Sequence, residues 1–473
     1  MNNKKPILSE LVSGRNIDLF FWSCVLFLFL LLILNLQEVI LVQAWRHDAL
    51  YYMGSYSGKL SAEGRWINYF LFSYLKSFPA QVSVLLNISF FGGFVWIAAN
   101  KILSWKKSLL IALLFLQINP IWSVIHWPAT ILPAHFFLFF CAFFSRKYRY
   151  EPILFLGGIL FHGTMNNLYN LIPLIFLCEI KTCRQLFRFL AFWIVFYMLG
   201  FMVAEFMTKV IVGQFIHIAS WRQPNYVTSM TTLVQNLKMI YKYFVSHIHI
   251  FTLTSFMLCI STTVCCLRKK IINVYQVFCL LCVGVSCYAQ ALPLGIRIDL
   301  RTVYCLYAAL LLPLCFSLLC KKFCLLVLVA IIALGARMFM DNYNSLRYYN
   351  GIVSVWTEHL RTIPNDPRLN SQLIFLSDTK DTSDIEKHLM KTMALNNQIL
   401  ERLDTPGRWS PSAESIGYHV KCMRPKWLEK CKFYSNQLYE WAYYNGIIVV
   451  RFNTDLIKLI RNKRYVNYYE VCK

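Results

Sequence analysis

The chain has 473 residues, of which 58% are hydrophobic and 15% are charged, whereas soluble domains have about 45–50% apolar and roughly 25% charged residues. This composition excludes an ordinary soluble protein and indicates a polytopic membrane protein. The formal net charge of +24 does not point to nucleic-acid binding, because Lys and Arg occur mostly in short clusters between apolar runs, as the positive-inside rule describes.

The N-terminal segment is basic and precedes the first long apolar run. Met1–Phe20 should remain in the cytoplasm, and Leu19–Val42 should then cross the membrane outward. A cleaved signal peptide is the alternative, with Val42 and Ala44 as a weak cleavage signature. The apolar run is longer than the 7–15 residues typical of a signal peptide, so we predict a retained membrane anchor.

A polar, aromatic-rich loop, Trp45–Trp66, follows this first span. Its only carboxylates are Asp48 and Glu63. The surrounding basic residues, whose charges could hold a phosphate, are Arg46, His47, Lys59 and Arg65. The alternative is that these are ordinary solvated loop charges. We take the loop as the candidate site.

The next apolar runs predict helices that alternate in direction. Trp66–Phe78 is short and aromatic, which suits a helix lying in the outer interface. The predicted spans are Gln81–Ala98, Leu109–Val124, Ala129–Phe144, Phe189–Ala204, Ile248–Leu267, Val274–Leu292, Val303–Leu319 and Phe323–Phe339. An outer loop, Gly213–His247, contains a helical stretch, Thr231–Phe244.

One apolar segment, Pro152–Glu179, has cationic loops on both sides, which a single span would place on opposite faces. A re-entrant hairpin of two half-length helices, with its tip at His162–Asn170, resolves the conflict. One long tilted helix is the alternative. With the hairpin, the fold is an all-α polytopic membrane domain of about eleven spans, with the N-terminus cytoplasmic and the C-terminus outside.

The composition becomes that of a soluble domain at about residue 341. Strands are predicted at Gln372–Asp378 and Gly446–Phe452, and an amphipathic helix at Ser383–Leu403. We therefore divide the chain into a transmembrane domain, residues 1–340, and a small extracytoplasmic α/β domain, residues 341–473.

The sequence has 17 cysteines. Those within apolar runs are most simply small buried hydrophobic residues, and their spacing is not that of a metal site. Cys422 and Cys431 lie in the C-terminal region, where an oxidising compartment would let them pair and leave Cys472 over. Reduced structural thiols are the less favoured alternative.

This layout suits an enzyme that acts on a lipid-linked sugar phosphate. The reacting bond of such a donor lies at the level of the lipid headgroups, where Asp48 and Arg297 are predicted to lie. A carboxylate would take the proton of the attacking hydroxyl, and cations would stabilise the departing phosphate. One base is sufficient if the reaction inverts the anomeric centre, whereas a retaining double displacement needs a second, close acid.

Several short motifs in this order resemble a known family. They are an acidic residue in the first loop followed by EGRW (Glu63–Trp66), a GTMNNLY hairpin tip, an outer LGIRIDLR loop, a Cys-Met-Arg-Pro segment and GIIVVRF. The chain is similar over nearly its whole length to the GtrII-type, serotype-converting O-antigen glucosyltransferases, which belong to the GT-C group of polytopic transferases.

The resemblance implies transfer of glucose from undecaprenyl-phosphate glucose to a sugar of the O-antigen repeat, on the periplasmic face of a bacterial inner membrane. Asp48 matches the catalytic base, and Glu63 is the second candidate for that role. Arg65 and either Arg297 or Arg301 match the donor-binding arginines, with Arg46 as a further cation.

The resemblance also implies interaction partners. They are the polyprenyl-linked donor, the O-antigen acceptor, the lipid bilayer, a small flippase and a glycosyltransferase that synthesises the donor; nucleic acid is not among them. No metal ligand or cofactor is assigned, although His47 beside Asp48 leaves a variant assisted by a divalent metal open.

Two other functions remain as alternatives. An O-unit flippase would place charges within its spans, and these spans are nearly free of charge. An O-antigen polymerase would also use arginines in outer loops, so it is the stronger alternative. An ion channel is disfavoured because no repeated pore-like segment or ring of charges is visible.

Overall fold

The computed structural model describes residues 14–41, 56–75, 78–125, 127–218, 222, 224–319, 324–361, 372–376, 419–421, 432–435, 439–444, 447–452, 455 and 458. Its helices are α1 (Gly14–Leu41), α2 (Ser57–Glu63), α3 (Trp66–Leu75), α4 (Ala80–Asn100), α5 (Trp105–Phe115), α6 (Asn119–Val124), α7 (Pro128–Phe144), α8 (Tyr150–His162), α9 (Ile172–Ile175), α10 (Cys183–Val212), α11 (Met230–His247), α12 (Leu253–Arg268), α13 (Val274–Ser286), α14 (Ala291–Leu294), α15 (Tyr304–Phe316) and α16 (Cys324–Arg361).

Five helical segments in the described part of the chain are long and apolar enough to cross a membrane. They are Asp18–Ile40, Ala80–Asn100, Cys183–Val212, Val274–Leu294 and Leu325–Arg347. The shorter apolar helices are Pro128–Phe144, Leu253–Arg268 and Tyr304–Leu319. The architecture is that of a helical membrane protein, and the count of eleven spans stays a prediction.

The loops that were predicted to share one face of the membrane contact one another at one end of the helical body. We call this end the lysine end. Lys107 Nζ donates to the Leu318 carbonyl oxygen at 2.8 Å, and Lys101 Nζ lies 3.3 Å from the carbonyl oxygen of Ser145. These contacts join loops that are far apart in sequence.

The loops predicted to lie on the opposite face contact one another at the other end, which we call the site end. Asn119 Nδ2 donates to Asp341 Oδ2 at 2.7 Å, and the amide of Asn225 donates to the Leu294 carbonyl oxygen at 2.9 Å. For the loops that these contacts join, the grouping agrees with the sequence prediction.

The predicted break within the apolar segment Pro152–Glu179 is confirmed. Helix α8 ends at His162, and the chain then reverses, so that the rings of Tyr150 and Phe176 lie 6.1 Å apart. The alternative of a single long helix is wrong. The returning half consists of short 3-10 and α-helical turns, rather than the regular half-length helix that was expected.

A second predicted span, Leu109–Val124, is also interrupted. Helix α5 ends before Gln117, and α6 restarts at Asn119 with Pro120 in its first turn. Proline has no amide proton and favours the start of a helix. The Trp122 indole Nε1 donates to the Leu116 carbonyl oxygen at 2.9 Å, which fixes the bend.

The final helix, α16, continues without a break through residue 340, where the domain boundary was predicted. It packs against α1 at Gly335, where an added Cβ would lie 2.5 Å from Leu28 Cδ2. At the site end, Asn342 Nδ2 donates to the Gln117 carbonyl oxygen at 2.7 Å.

In the described residues after α16 there are five strands. They are β1 (Gln372–Leu376), β2 (His419–Lys421), β3 (Tyr434–Ser435), β4 (Tyr439–Tyr444) and β5 (Ile447–Phe452). They form one mixed sheet of order β2-β1-β5-β4-β3, with β1 parallel to β2 and β5, and β4 antiparallel to β3 and β5. Strands β1 and β5 confirm the two predicted strands. The predicted helix Ser383–Leu403 and both Cys422 and Cys431 lie outside the described residues.

Candidate functional site

A short helix, α2, lies inside the stretch that was predicted to be a loop. It ends at Gly64, whose φ of +68° is in the left-handed region that glycine favours. The Gly64 amide donates to the Leu60 carbonyl oxygen at 2.8 Å, and an added Cβ would lie 2.4 Å from Ile216 Cδ1. Gly64 therefore allows the turn that directs Arg65 back toward α2.

Glu63 is at the centre of a cluster of cations. Its Oε2 lies 2.5 Å from an Arg65 guanidinium nitrogen, and its Oε1 lies 3.0 Å from Lys59 Nζ and 3.5 Å from an Arg222 nitrogen. Only 11% of the Glu63 side chain is exposed. Glu63 thus pairs with Arg65, and two further cations join the pair.

These cations determine the ionisation of Glu63. Burial alone would raise the pKa of the Glu63 carboxyl, but the charges of Arg65, Lys59 and Arg222 outweigh burial and hold it well below its ordinary value. For Lys59, burial lowers the pKa, and the neighbouring Glu63 carboxylate opposes that shift. A carboxylate with so low a pKa is a weak proton acceptor.

Trp127 connects this cluster to a distant outer loop. The guanidinium of Arg301 lies 4.3 Å from the centre of a Trp127 ring, and Lys59 Nζ lies 5.7 Å from a ring centre of the same side chain. Arg301 is 13% exposed and pairs with Asp299 at 2.9 Å. Its positive charge also acts to lower the pKa of Lys59, so Arg301 belongs to the same electrostatic site.

Arg297 is placed differently. Its side chain is 61% exposed, and its Nε lies 2.9 Å from Asp299 Oδ1, so that Asp299 is shared between the two loop arginines. Of the two arginines predicted in this loop, the structure brings Arg301 into the cluster and leaves Arg297 at its surface.

Two buried asparagine side chains hold the segment after Trp127 in place. Asn68 Nδ2 lies 3.1 Å from the Tyr56 hydroxyl and donates to the Thr130 carbonyl oxygen at 2.9 Å. Asn87 Nδ2 donates to the Pro128 carbonyl oxygen at 2.8 Å. These bonds attach the start of α7, immediately after the site tryptophan, to α3 and α4.

One donor of the cluster lacks an acceptor within the described part of the chain. The Nη1 nitrogen of Arg65 is buried and has no hydrogen-bond partner among the described residues. A buried guanidinium nitrogen without a partner is costly, and a phosphate oxygen is a fitting acceptor for it. A phosphate oxygen that reached this nitrogen would therefore complete the hydrogen bonding of Arg65.

Two members of the site were not predicted. Arg222 lies in a long outer loop without a recognisable motif, and Trp127 lies in an uncharged connection between two apolar runs. A weak signal for Trp127 was its position directly before Pro128, at the start of a helix.

Three predicted residues, Arg46, His47 and Asp48, lie outside the described residues. Within the part of the chain that is described, no group of three or more His, Cys, Asp or Glu residues could hold a metal ion. The described site is therefore a site of cations, carboxylates and aromatic rings.

Comparisons of the chain with models of protein families, with curated proteins and with solved structures found no match.

Proposed function

We propose that the protein is a membrane glucosyltransferase that transfers glucose from undecaprenyl-phosphate glucose to the O-antigen repeat, at the periplasmic face. The proposal rests on the resemblance described above and on the chemistry of the site. The donor is a lipid-linked sugar phosphate, and the product is a glucose branch on an existing polysaccharide.

One observation carries the proposal: cations from three distant stretches of the chain meet at one end of the helical body. Lys59 and Arg65 come from the first loop, Arg222 from a middle loop and Arg301 from a later loop. Preorganised cations stabilise the negative charge that develops on a departing phosphate, and they do so most strongly where water is excluded.

In the proposed reaction, the acceptor hydroxyl attacks the anomeric carbon of the donor glucose. The bond between that carbon and the phosphate oxygen breaks, and the bonding electrons remain on the phosphate, where Arg65 and Arg301 stabilise them. Asp48 takes the hydroxyl proton. A single base of this kind is consistent with inversion at the anomeric carbon.

The proposal gives Glu63 a role in holding the cations in place. Both of its carboxylate oxygens already have cationic partners, and its pKa is lowered by them. Glu63 would therefore position Lys59 and Arg65 toward the phosphate, and Asp48 is the preferred base.

The same proposal includes the finer features of the fold and its setting. The transmembrane part would be a GT-C-like domain of about eleven spans, followed by a periplasmic α/β domain. The protein would lie in a bacterial inner membrane with its N-terminus in the cytoplasm. It would act together with a flippase and with a glycosyltransferase that synthesises the donor. The loops at the site end would then face the periplasm, where the O-antigen is accessible.

The experiment that tests the function is a comparison of lipopolysaccharide from cells with and without the gene. The proposal predicts one added glucose per O-antigen repeat when the gene is present, with the distribution of chain lengths unchanged. A change in chain length alone would identify a polymerase instead. Identical lipopolysaccharide in both strains, with the protein present in the membrane, would contradict the proposal.

A further inference from the structure

Helix α11 exposes large apolar side chains outside the candidate site. They form a set that we call the apolar stripe: Met230, Val234, Leu237, Tyr241 and Val245. Their exposed fractions range from 43% for Val234 to 74% for Met230. Apolar side chains exposed together on one surface mark an interaction site more often than scattered ones do.

The stripe occupies one side of the helix. At 3.6 residues per turn, its five members fall within an arc of about 80°. The exposed polar residues occupy the adjacent arc and form the polar stripe: Thr231, Gln235, Lys238 and Lys242. The third side packs on the protein through Asn236 and His247, which are buried.

Both ends of α11 lie at the site end. Just before its start, the Val227 amide donates to the Pro293 carbonyl oxygen at 3.0 Å, and within its second turn Asn236 Nδ2 donates to the Leu292 carbonyl oxygen at 3.0 Å. Just after its last residue, His249 Nε2 lies 3.7 Å from Asp341 Oδ2. A helix that begins and ends at the same end of the helical body does not cross the membrane.

We infer that α11 lies along the membrane surface at the site end, with its apolar stripe embedded in the phospholipid leaflet. A helix with one protein-facing, one apolar and one polar side fits this position, because the apolar side enters the acyl boundary while the polar side faces water and headgroups. Lys238 and Lys242 are placed to contact phospholipid phosphates.

The exposed surface of the next helix supports a lipid occupant rather than a protein. Helix α12 exposes a similar set of apolar side chains, with exposed fractions from 42% to 75%: Leu253, Met257, Ile260 and Val264. These residues are spaced three or four apart, so they share one side of α12. The apolar surface of α11 thus precedes a helix whose outer side is apolar from its first turn.

The position of α11 bears on the candidate site. Asn236 Nδ2 donates to the Asn225 carbonyl oxygen at 2.8 Å, and Asn225 Nδ2 donates to Asn236 Oδ1 at 3.0 Å. Arg222, three residues earlier, contacts Glu63. A leaflet that holds α11 therefore fixes the height of the Arg222 segment relative to the headgroups.

The test is photo-crosslinking of the full chain in liposomes of phosphatidylethanolamine and phosphatidylglycerol. A benzophenone amino acid replaces Tyr241 in one variant and Gln235, on the polar stripe, in a matched control. We expect phospholipid adducts by mass spectrometry on the Tyr241 variant, at a yield several-fold above that of the Gln235 variant.

Equal adduct yields at the two positions, an absence of lipid adducts at both, or crosslinking of the Tyr241 variant to a protein would overturn the inference. A second pair of variants carries the benzophenone amino acid at Val234, on the apolar stripe, or at Thr231, on the polar stripe, one to two turns earlier in α11. This pair gives the same comparison if the Tyr241 variant does not fold. Size-exclusion chromatography and circular dichroism verify that each compared variant is folded.

Discussion

The guanidinium of Arg301 lies over the indole of Trp127, 4.3 Å from a ring centre. Because Lys59 Nζ approaches the same side chain from α2, one tryptophan joins the loop that contains Glu63 to the loop that contains Asp299. A flat guanidinium can stack on an aromatic ring and still direct a fork of nitrogens toward a phosphate, whereas an ammonium group is a compact charge without that fork.

This relationship predicts a difference between two conservative substitutions in one loop. Arg301→Lys should lower O-antigen glucosylation by about tenfold or more, because the stacked, forked donor is lost. Arg297→Lys is the matched control and should stay within about twofold, since Arg297 is exposed and surface ion pairs contribute little. Glucosylation is measured by composition analysis of lipopolysaccharide at equal protein level. A larger loss in Arg297→Lys would reverse the assignment.

The assignment of Asp48 as the base predicts that two carboxylate substitutions differ in their effect on activity. Asp48→Asn should lower the rate by about 10²–10⁴-fold, the usual effect of losing a general base, with normal expression. Glu63→Gln should act mainly by loosening the cations, so its activity loss should be smaller. If Glu63→Gln abolishes glucosylation while Asp48→Asn leaves it near normal, the base is Glu63.

The lowered pKa of Glu63 predicts that the stability of the fold depends on pH. A carboxyl whose folded-state pKa lies below its ordinary value of 4.5 stabilises the fold above that pH, and the stabilisation is lost as the pH falls toward the folded-state pKa. In detergent, the melting temperature of wild type should therefore exceed that of Glu63→Gln at pH 7, and this difference should narrow below pH 4.5. A difference in melting temperature that is independent of pH would contradict the ion-pair cluster.

The close approach of α8 and α10 predicts the effect of adding a single methyl group. A Cβ at Gly200 would lie 2.1 Å from the Gly158 carbonyl oxygen, whereas a Cβ at Gly58 meets nothing within 4 Å. Gly200→Ala should destabilise the protein by about 1–3 kcal/mol, and Gly58→Ala should leave it unchanged or stabilise it by up to ~1 kcal/mol. Thermal unfolding in one detergent compares the two, and equal melting temperatures would argue against this packing.

Much of the helical framework could be predicted from the sequence, because long apolar runs bounded by Lys and Arg have few alternative structures. The reversal after His162 followed from the basic loops on both sides of one segment. The interruption at Pro120 was missed, since the apolar run continues through it and only the proline breaks the helix. The length of α16 was missed because its sequence changes composition while its backbone stays helical.

The site was predicted in part. Glu63, Lys59 and Arg65 are close in sequence, so their meeting could be foreseen from spacing alone. Arg222 and Trp127 join them only through tertiary packing, which no local pattern encodes. The exposed position of Arg297 and the stacked position of Arg301 likewise depend on how one short loop packs against α6 and Trp127.

The most direct test of the central claim is glucose transfer by the purified full chain in liposomes. Labelled undecaprenyl-phosphate glucose is supplied with O-antigen acceptor, and label in the polysaccharide is measured for wild type and for Arg65→Lys. We expect label in the acceptor with wild type and a strong loss of label with Arg65→Lys. No transfer by folded wild-type protein, or equal transfer by both, would contradict it.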